Sequence, residues 1–152
     1  MKKSYFFYLA ASLAAIALAI FFARGSYLLF FDPPSLMLTF IPTAFMLLAV
    51  YSPGEFINAF KLAWHGNEGT KSEIKNSIAF FDTAQKLLLL MGIIGLMLGC
   101  MLMLSAGWEV QKFSFGLSVA LVCILYAFLT IFLVTIPFKN ALEKKLNDIE
   151  QE

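Results

Sequence analysis

The sequence predicts an all-α integral membrane protein with four transmembrane helices, both termini cytoplasmic, a short cytoplasmic helical hairpin between the second and third spans, and an amphipathic C-terminal helix. Three observations carry this. Hydrophobic residues make up 61% of the chain and charged residues 14%, far from the balance of a soluble domain. Four segments reach the length needed to cross a bilayer core, which is about 20 apolar residues with about 17 as a minimum. None of the four contains Asp, Glu, Lys, Arg or His, as expected where an ionisable group at the bilayer centre costs at least roughly 2.5 kcal/mol. Residues 1–152 read as a single membrane domain.

The first span is expected over 5–22. A basic start, an apolar run and Ala-Leu-Ala at 17–19 also fit a secretory signal, but four spans keep both lysine clusters on one side, so four are preferred. The second span, 35–51, is preceded by Phe-Asp-Pro-Pro-Ser-Leu at 31–36. Proline fits the first turn of a helix, whose amides have no partner within the helix. Asp32 can accept from those amides and lies at the positive end of the helix dipole. Asp32, Pro33, Pro34 and Ser35 therefore form a helix entrance.

A polar stretch, 52–86, follows. Ser52 with Glu55 and Thr70 with Glu73 have capping-box spacing, Pro53 takes a first helical position, and His-Gly-Asn-Glu-Gly at 65–69 reads as a turn. This predicts a helical hairpin, with Phe56, Phe60 and Trp64 giving its first arm an apolar side. The third span, 87–106, carries Gly92, Gly95 and Gly99 in steps of three and four. Such spacing lets helix backbones approach closely. The partner of this face can be another helix of the chain or a separate membrane helix. The fourth span, 113–138, carries Tyr126 and Thr130 one turn apart with Cys123 near the same face, and Thr39 and Thr43 repeat that spacing on the second. Such hydroxyls can line a pathway or satisfy carbonyls of their own helix. Continuing the fourth span through a kink at Pro137, Phe138, Leu142, Leu146 and Ile149 stripe a C-terminal helix over 138–152. That stripe needs a partner surface, either the hairpin or a second copy of the chain.

Lys2, Lys3, Lys61, Lys71, Lys75, Lys86, Lys139, Lys144 and Lys145 fall on one side of this arrangement, with Arg24 and Lys112 on the other. The positive-inside rule places the termini and the hairpin in the cytoplasm. The basic residues form no stripe for nucleic acid. The single histidine, His65, falls in the expected turn, and no catalytic grouping, phosphate loop or metal-ligand cluster is visible. Cys100 and Cys123 lie within spans without CxxC spacing. A non-enzyme without metal or cofactor is expected. Carriers coupled to protons need a carboxylate or histidine in the membrane. These spans have none, so any ion crossing here needs an acid from another chain.

At this point the residues resemble the MotA/TolQ/ExbB proton-channel family, in its four-span, flagellar-stator-like branch. The similarity rests on Phe-Asp-Pro-Pro-Ser-Leu with Thr43 following, on the glycine-rich third span, and on the fourth span with Tyr126 and Pro137. It implies a homopentamer in the bacterial cytoplasmic (inner) membrane, its third and fourth helices surrounding a single-span MotB/ExbD-like partner that carries the ion-binding aspartate. Ion flow would turn the pentamer around that partner. The resemblance assigns Gly92, Gly95, Leu96, Gly99, Cys123, Ile124, Tyr126 and Thr130 to the ion pathway or the partner-facing wall. Leu96 stands where the family often has threonine, and Cys123 and Ile124 stand at a threonine pair, which disfavours sodium and leaves protons or no conduction. The cytoplasmic loop is shorter than in flagellar stators. A non-conducting oligomeric scaffold and a small carrier of apolar molecules are the other readings of the same chain.

Overall fold

The structure, a computed structural model, describes residues 3–22, 31–65, 69–105 and 109–151. Among them the chain is helical, without strands. The helices are α1 (Lys3–Phe22), α2 (Pro33–Val50), α3 (Pro53–His65), α4 (Lys71–Ser105), α5 (Val110–Thr130) and α6 (Ile136–Gln151), with a π-helical turn (Ile131–Thr135) joining the last two. Among the described residues three helical stretches are long and apolar enough to cross a membrane: Pro33–Val50, Lys71–Ser105 and Val110–Gln151. The expected first span lies in α1, whose described apolar run is Tyr8–Leu18.

Local chemistry sets where the helices begin. Pro33 and Pro34 occupy the first turn of α2, and the Asp32 carboxylate accepts from the Ser35 amide at 3.1 Å. At α3 the Ser52 amide donates to Glu55 at 2.8 Å while the Glu55 amide donates to the Ser52 hydroxyl at 3.3 Å. Thr70 and Glu73 repeat both distances at α4. Each box holds its glutamate below the usual carboxylate range, first through the backbone amide of its cap and second through the cap hydroxyl.

Two boundaries differ from the sequence expectation. The hairpin's second arm is not separate from the third span: both belong to α4, a single helix of 35 residues. At 1.5 Å per residue it is about 52 Å long, roughly 20 Å more than a bilayer core. The excess is the arm. Nothing between Lys71 and Ser105 interrupts it, since the stretch has no proline and its glycines are held by packing. His65, expected in the turn, closes α3; Gly66, Asn67 and Glu68 lie outside the described residues, as do Arg24 and Ala106.

The fourth span likewise begins at Val110, before Phe113; it passes without a break into α6 and through Pro137, as the sequence leads one to expect. Pro137 has no amide for the carbonyl four residues back and its ring crowds that position. The preceding turn widens instead, and the Ile136 amide bonds to the Ile131 carbonyl five residues back. The strain at proline is thus taken up by a π turn.

Two packing zones result. The principal one pairs α4 with α5, with α2 against both. The second gathers α3, the first part of α4 and α6 around Phe80, Phe81, Phe138, Leu142, Leu62 and Ile74. Phe80 and Phe81 meet edge-to-face with centroids 5.3 Å apart, and Phe60 meets Phe80, Phe81 and Phe138 in the same manner. The stripe on α6 has its partner here: Phe138 and Leu142 are buried in this cluster and Leu146 packs on it, while Ile149 stays exposed. Lys71 reaches Glu150 at 2.8 Å and ties the end of α6 to the start of α4.

Candidate functional site

The helix entrance and the fourth span meet in space. Asp32 donates its backbone amide to the Tyr126 phenol oxygen at 3.0 Å. Its carboxylate takes a short hydrogen bond from the Ser35 hydroxyl. The Cys123 thiol lies 3.9 Å from the Ser35 carbonyl as a weak donor. Ser35 and Cys123 are fully buried. The sequence singled out these residues as two motifs, and the fold makes them one knot between α2 and α5.

Gly92, Gly95 and Gly99 are buried on the face of α4 that meets α5 of the same chain. A Cβ added to Gly92 would lie 2.8 Å from the Ala127 Cβ; on Gly95 it would strike Cys123; on Gly99 it would strike the Ala120 backbone, 2.6 Å from its Cα. Close helix approach is therefore spent inside the chain. The matching stripe on α5, Gly116, Ala120, Cys123 and Ala127, is buried too, and its small-residue spacing was readable from the sequence. Leu96, Ile124, Tyr126 and Thr130 are each half-buried.

Two hydroxyls of the candidate pathway turn to their own helices. Thr43 donates to the Thr39 carbonyl at 2.7 Å and Thr130 to the Tyr126 carbonyl at 2.8 Å. Thr39 is fully enclosed, and its hydroxyl has no hydrogen-bond partner.

Beside these threonines lies a cavity of about 220 Å³ that no sequence pattern signalled. Phe40, Thr43 and Ala44 of α2 form one side, Phe56 and Phe60 of α3 the floor, and Phe80, Phe81, Ala84 and Leu88 of α4 the back, with Thr130 at the end of α5 and Val134 and Thr135 of the π turn opposite α2.

An ion-pair cluster stands where α4 meets α6. Lys139 donates to Asp82 at 2.7 Å and Lys86 lies 2.6 Å from the other carboxylate oxygen. Lys139, and then Lys86, hold the Asp82 carboxyl at about 2. Asp82 in turn raises Lys139 above its ordinary value. Among the described residues no group of His, Cys, Asp and Glu could hold a metal ion, and both cysteines are free thiols. No family model matches the chain, and no curated protein matches it.

Proposed function

We propose that this protein is a MotA-like subunit of an ion-driven motor or energy-transducing complex of the bacterial inner membrane. In this reading α1 is a fourth span, both termini and the hairpin are cytoplasmic, and copies of the chain assemble as a pentamer around a single-span partner. The partner supplies the aspartate that binds the ion, and the ion is a proton. The observation that carries the reading is the hydrogen bond from the Asp32 amide to Tyr126. It joins two of the stretches that resemble the family, the entrance to the second span and the fourth span. The apolar spans, without Asp, Glu, Lys, Arg or His of their own, support the same division of labour.

The glycine face on α4 is occupied by α5, so the wall that meets the partner is drawn from other residues, with half-buried Leu96 and Ile124 among the candidates. Those two side chains offer no oxygen, which favours a second reading, an oligomeric scaffold that does not conduct. Proton flux in proteoliposomes decides between them. The chain alone is expected to give background flux, and co-reconstitution with a single-span neighbour is expected to give flux that neutralising the neighbour's membrane aspartate abolishes. Substantial flux from the chain alone overturns the motor reading, and background flux with every such neighbour leaves the scaffold.

A further inference from the structure

We propose that the cavity between α2, α4 and the π turn is a binding site for hydrocarbon, occupied in the bilayer by the end of a lipid acyl chain. The site does not depend on the motor reading; it needs only that α2, α4 and α5 lie in a membrane.

The chemistry of the wall selects the ligand. Three threonines border the cavity, which would suit water or an ion if their hydroxyls faced it. All three are engaged elsewhere: Thr43 donates to the Thr39 carbonyl at 2.7 Å, Thr130 to the Tyr126 carbonyl at 2.8 Å and Thr135 to the Thr130 carbonyl at 3.5 Å. A buried water needs two to four polar partners, and with the hydroxyls turned to their own helices this wall presents almost no polar surface to the cavity. Aromatic and aliphatic carbon forms the rest of the surface. The volume, about 220 Å³, exceeds the roughly 150 Å³ of a dry apolar cavity that admits benzene.

Position identifies the source. The back wall, Phe80, Phe81, Ala84 and Leu88, is buried. Ala44 is exposed, and Phe40, Thr130 and Val134 are half-exposed, so the mouth opens between α2 and α5. These mouth residues belong to the apolar stretches long enough to cross a membrane. α1 lies elsewhere on the bundle, with Tyr8 and Ser12 beside Phe132 and Ile136. The mouth therefore faces the surroundings of the spans at bilayer depth, where the available molecule is an acyl chain. The floor, Phe56 and Phe60, belongs to α3, so the chain comes from the leaflet on that side.

The test uses the full-length protein in nanodiscs of phosphatidylcholine, a fraction of which carries a diazirine at the acyl terminus. After irradiation, adducts are mapped by peptide mass spectrometry. Enrichment at Phe40, Ala44 and Val134 is expected to be several-fold over the exposed positions Phe45 and Met97. Ala44→Phe, which fills the mouth, is expected to bring it down to that background. Ala84→Leu fills the cavity from the back wall and provides a second variant, each checked for helicity and monodispersity. Adducts at the lining no higher than at Phe45 and Met97 in the wild-type protein overturn the proposal. So does enrichment unchanged in a folded, filled variant, or a photoreactive residue placed at position 44 that crosslinks a second copy of the chain and not lipid.

Discussion

The Asp32 amide and the Tyr126 phenol oxygen lie 3.0 Å apart, joining positions 94 residues distant in the chain. The bond fixes where α2 begins relative to α5, because the residue that donates it also caps α2 through its carboxylate. Tyr126→Phe removes the acceptor and leaves a partly buried amide unsatisfied. A loss of about 1–3 kcal/mol is expected, read as unfolding by SDS titration in micelles. Asp32→Asn keeps the backbone donor and a capping oxygen, so the expected loss is smaller.

The glycine seam predicts an order of sensitivity. Gly92→Ala places its Cβ against the Ala127 Cβ, which Ala127→Gly can remove; Gly99→Ala places it against the Ala120 backbone, which no side-chain trimming relieves. Overpacking of this type costs about 1–3 kcal/mol. Gly99→Ala is expected to be the more destabilising. Gly92→Ala with Ala127→Gly should recover much of the single variant's loss, whereas no substitution at Ala120 rescues Gly99→Ala. Thermal unfolding of the purified variants checks both statements.

The cluster at Asp82 predicts a response to acid. Its carboxyl titrates at about 2 in the folded protein, against about 3.9 in an unfolded chain. A depressed carboxyl stabilises fully above the unfolded value and loses that contribution as pH falls through the folded one. The window is therefore about pH 4 down to pH 2. Asp82 is 36% exposed, and with solvent screening the contribution is on the order of 1 kcal/mol. Asp82→Asn should lower stability by that amount at neutral pH and flatten the profile across the window, measured by thermal scans at stepped pH.

The box at the start of α4 predicts a local effect. Thr70→Ala removes the acceptor of the Glu73 amide and a hydroxyl donor to its carboxylate, at a cost of about 1 kcal/mol. Because this turn also holds Lys71, which pairs with Glu150, amide hydrogen exchange should rise in the first turn of α4 and the last turn of α6. Exchange in the apolar half of α4 should stay as it was.

What could be read from the sequence was local. Asp32 with two prolines, and Ser52 and Thr70 each three residues before a glutamate, state their helix starts within four residues. Apolar length pointed to the three stretches long enough to cross a membrane, Pro33–Val50, Lys71–Ser105 and Val110–Gln151. The continuity of α4 was also within reach, since no proline interrupts it, but the change from polar to apolar at Lys86 suggested a boundary where only the surroundings change. The direction of the glycine face was not legible, because spacing brings Gly92, Gly95 and Gly99 together without saying which helix they meet. The cavity was further out of reach. Its walls come from four helical segments, and it stays apolar only because Thr43, Thr130 and Thr135 choose rotamers that return their hydrogen bonds to their own backbone.

The unbroken course of α4 has a mechanical consequence. A hydrogen-bonded helix of 35 residues carries its ladder unbroken from its apolar end to the phenylalanines around Phe80, so the two ends share one axis apart from the gentle curvature of a long helix. The neighbouring α5 and α6 are linked through the widened turn at Ile131–Thr135, where the hydrogen-bond ladder changes register. The chain thus sets an unbroken helix beside a jointed one, and Asp82 with Lys139 clasps the two together just beyond that joint.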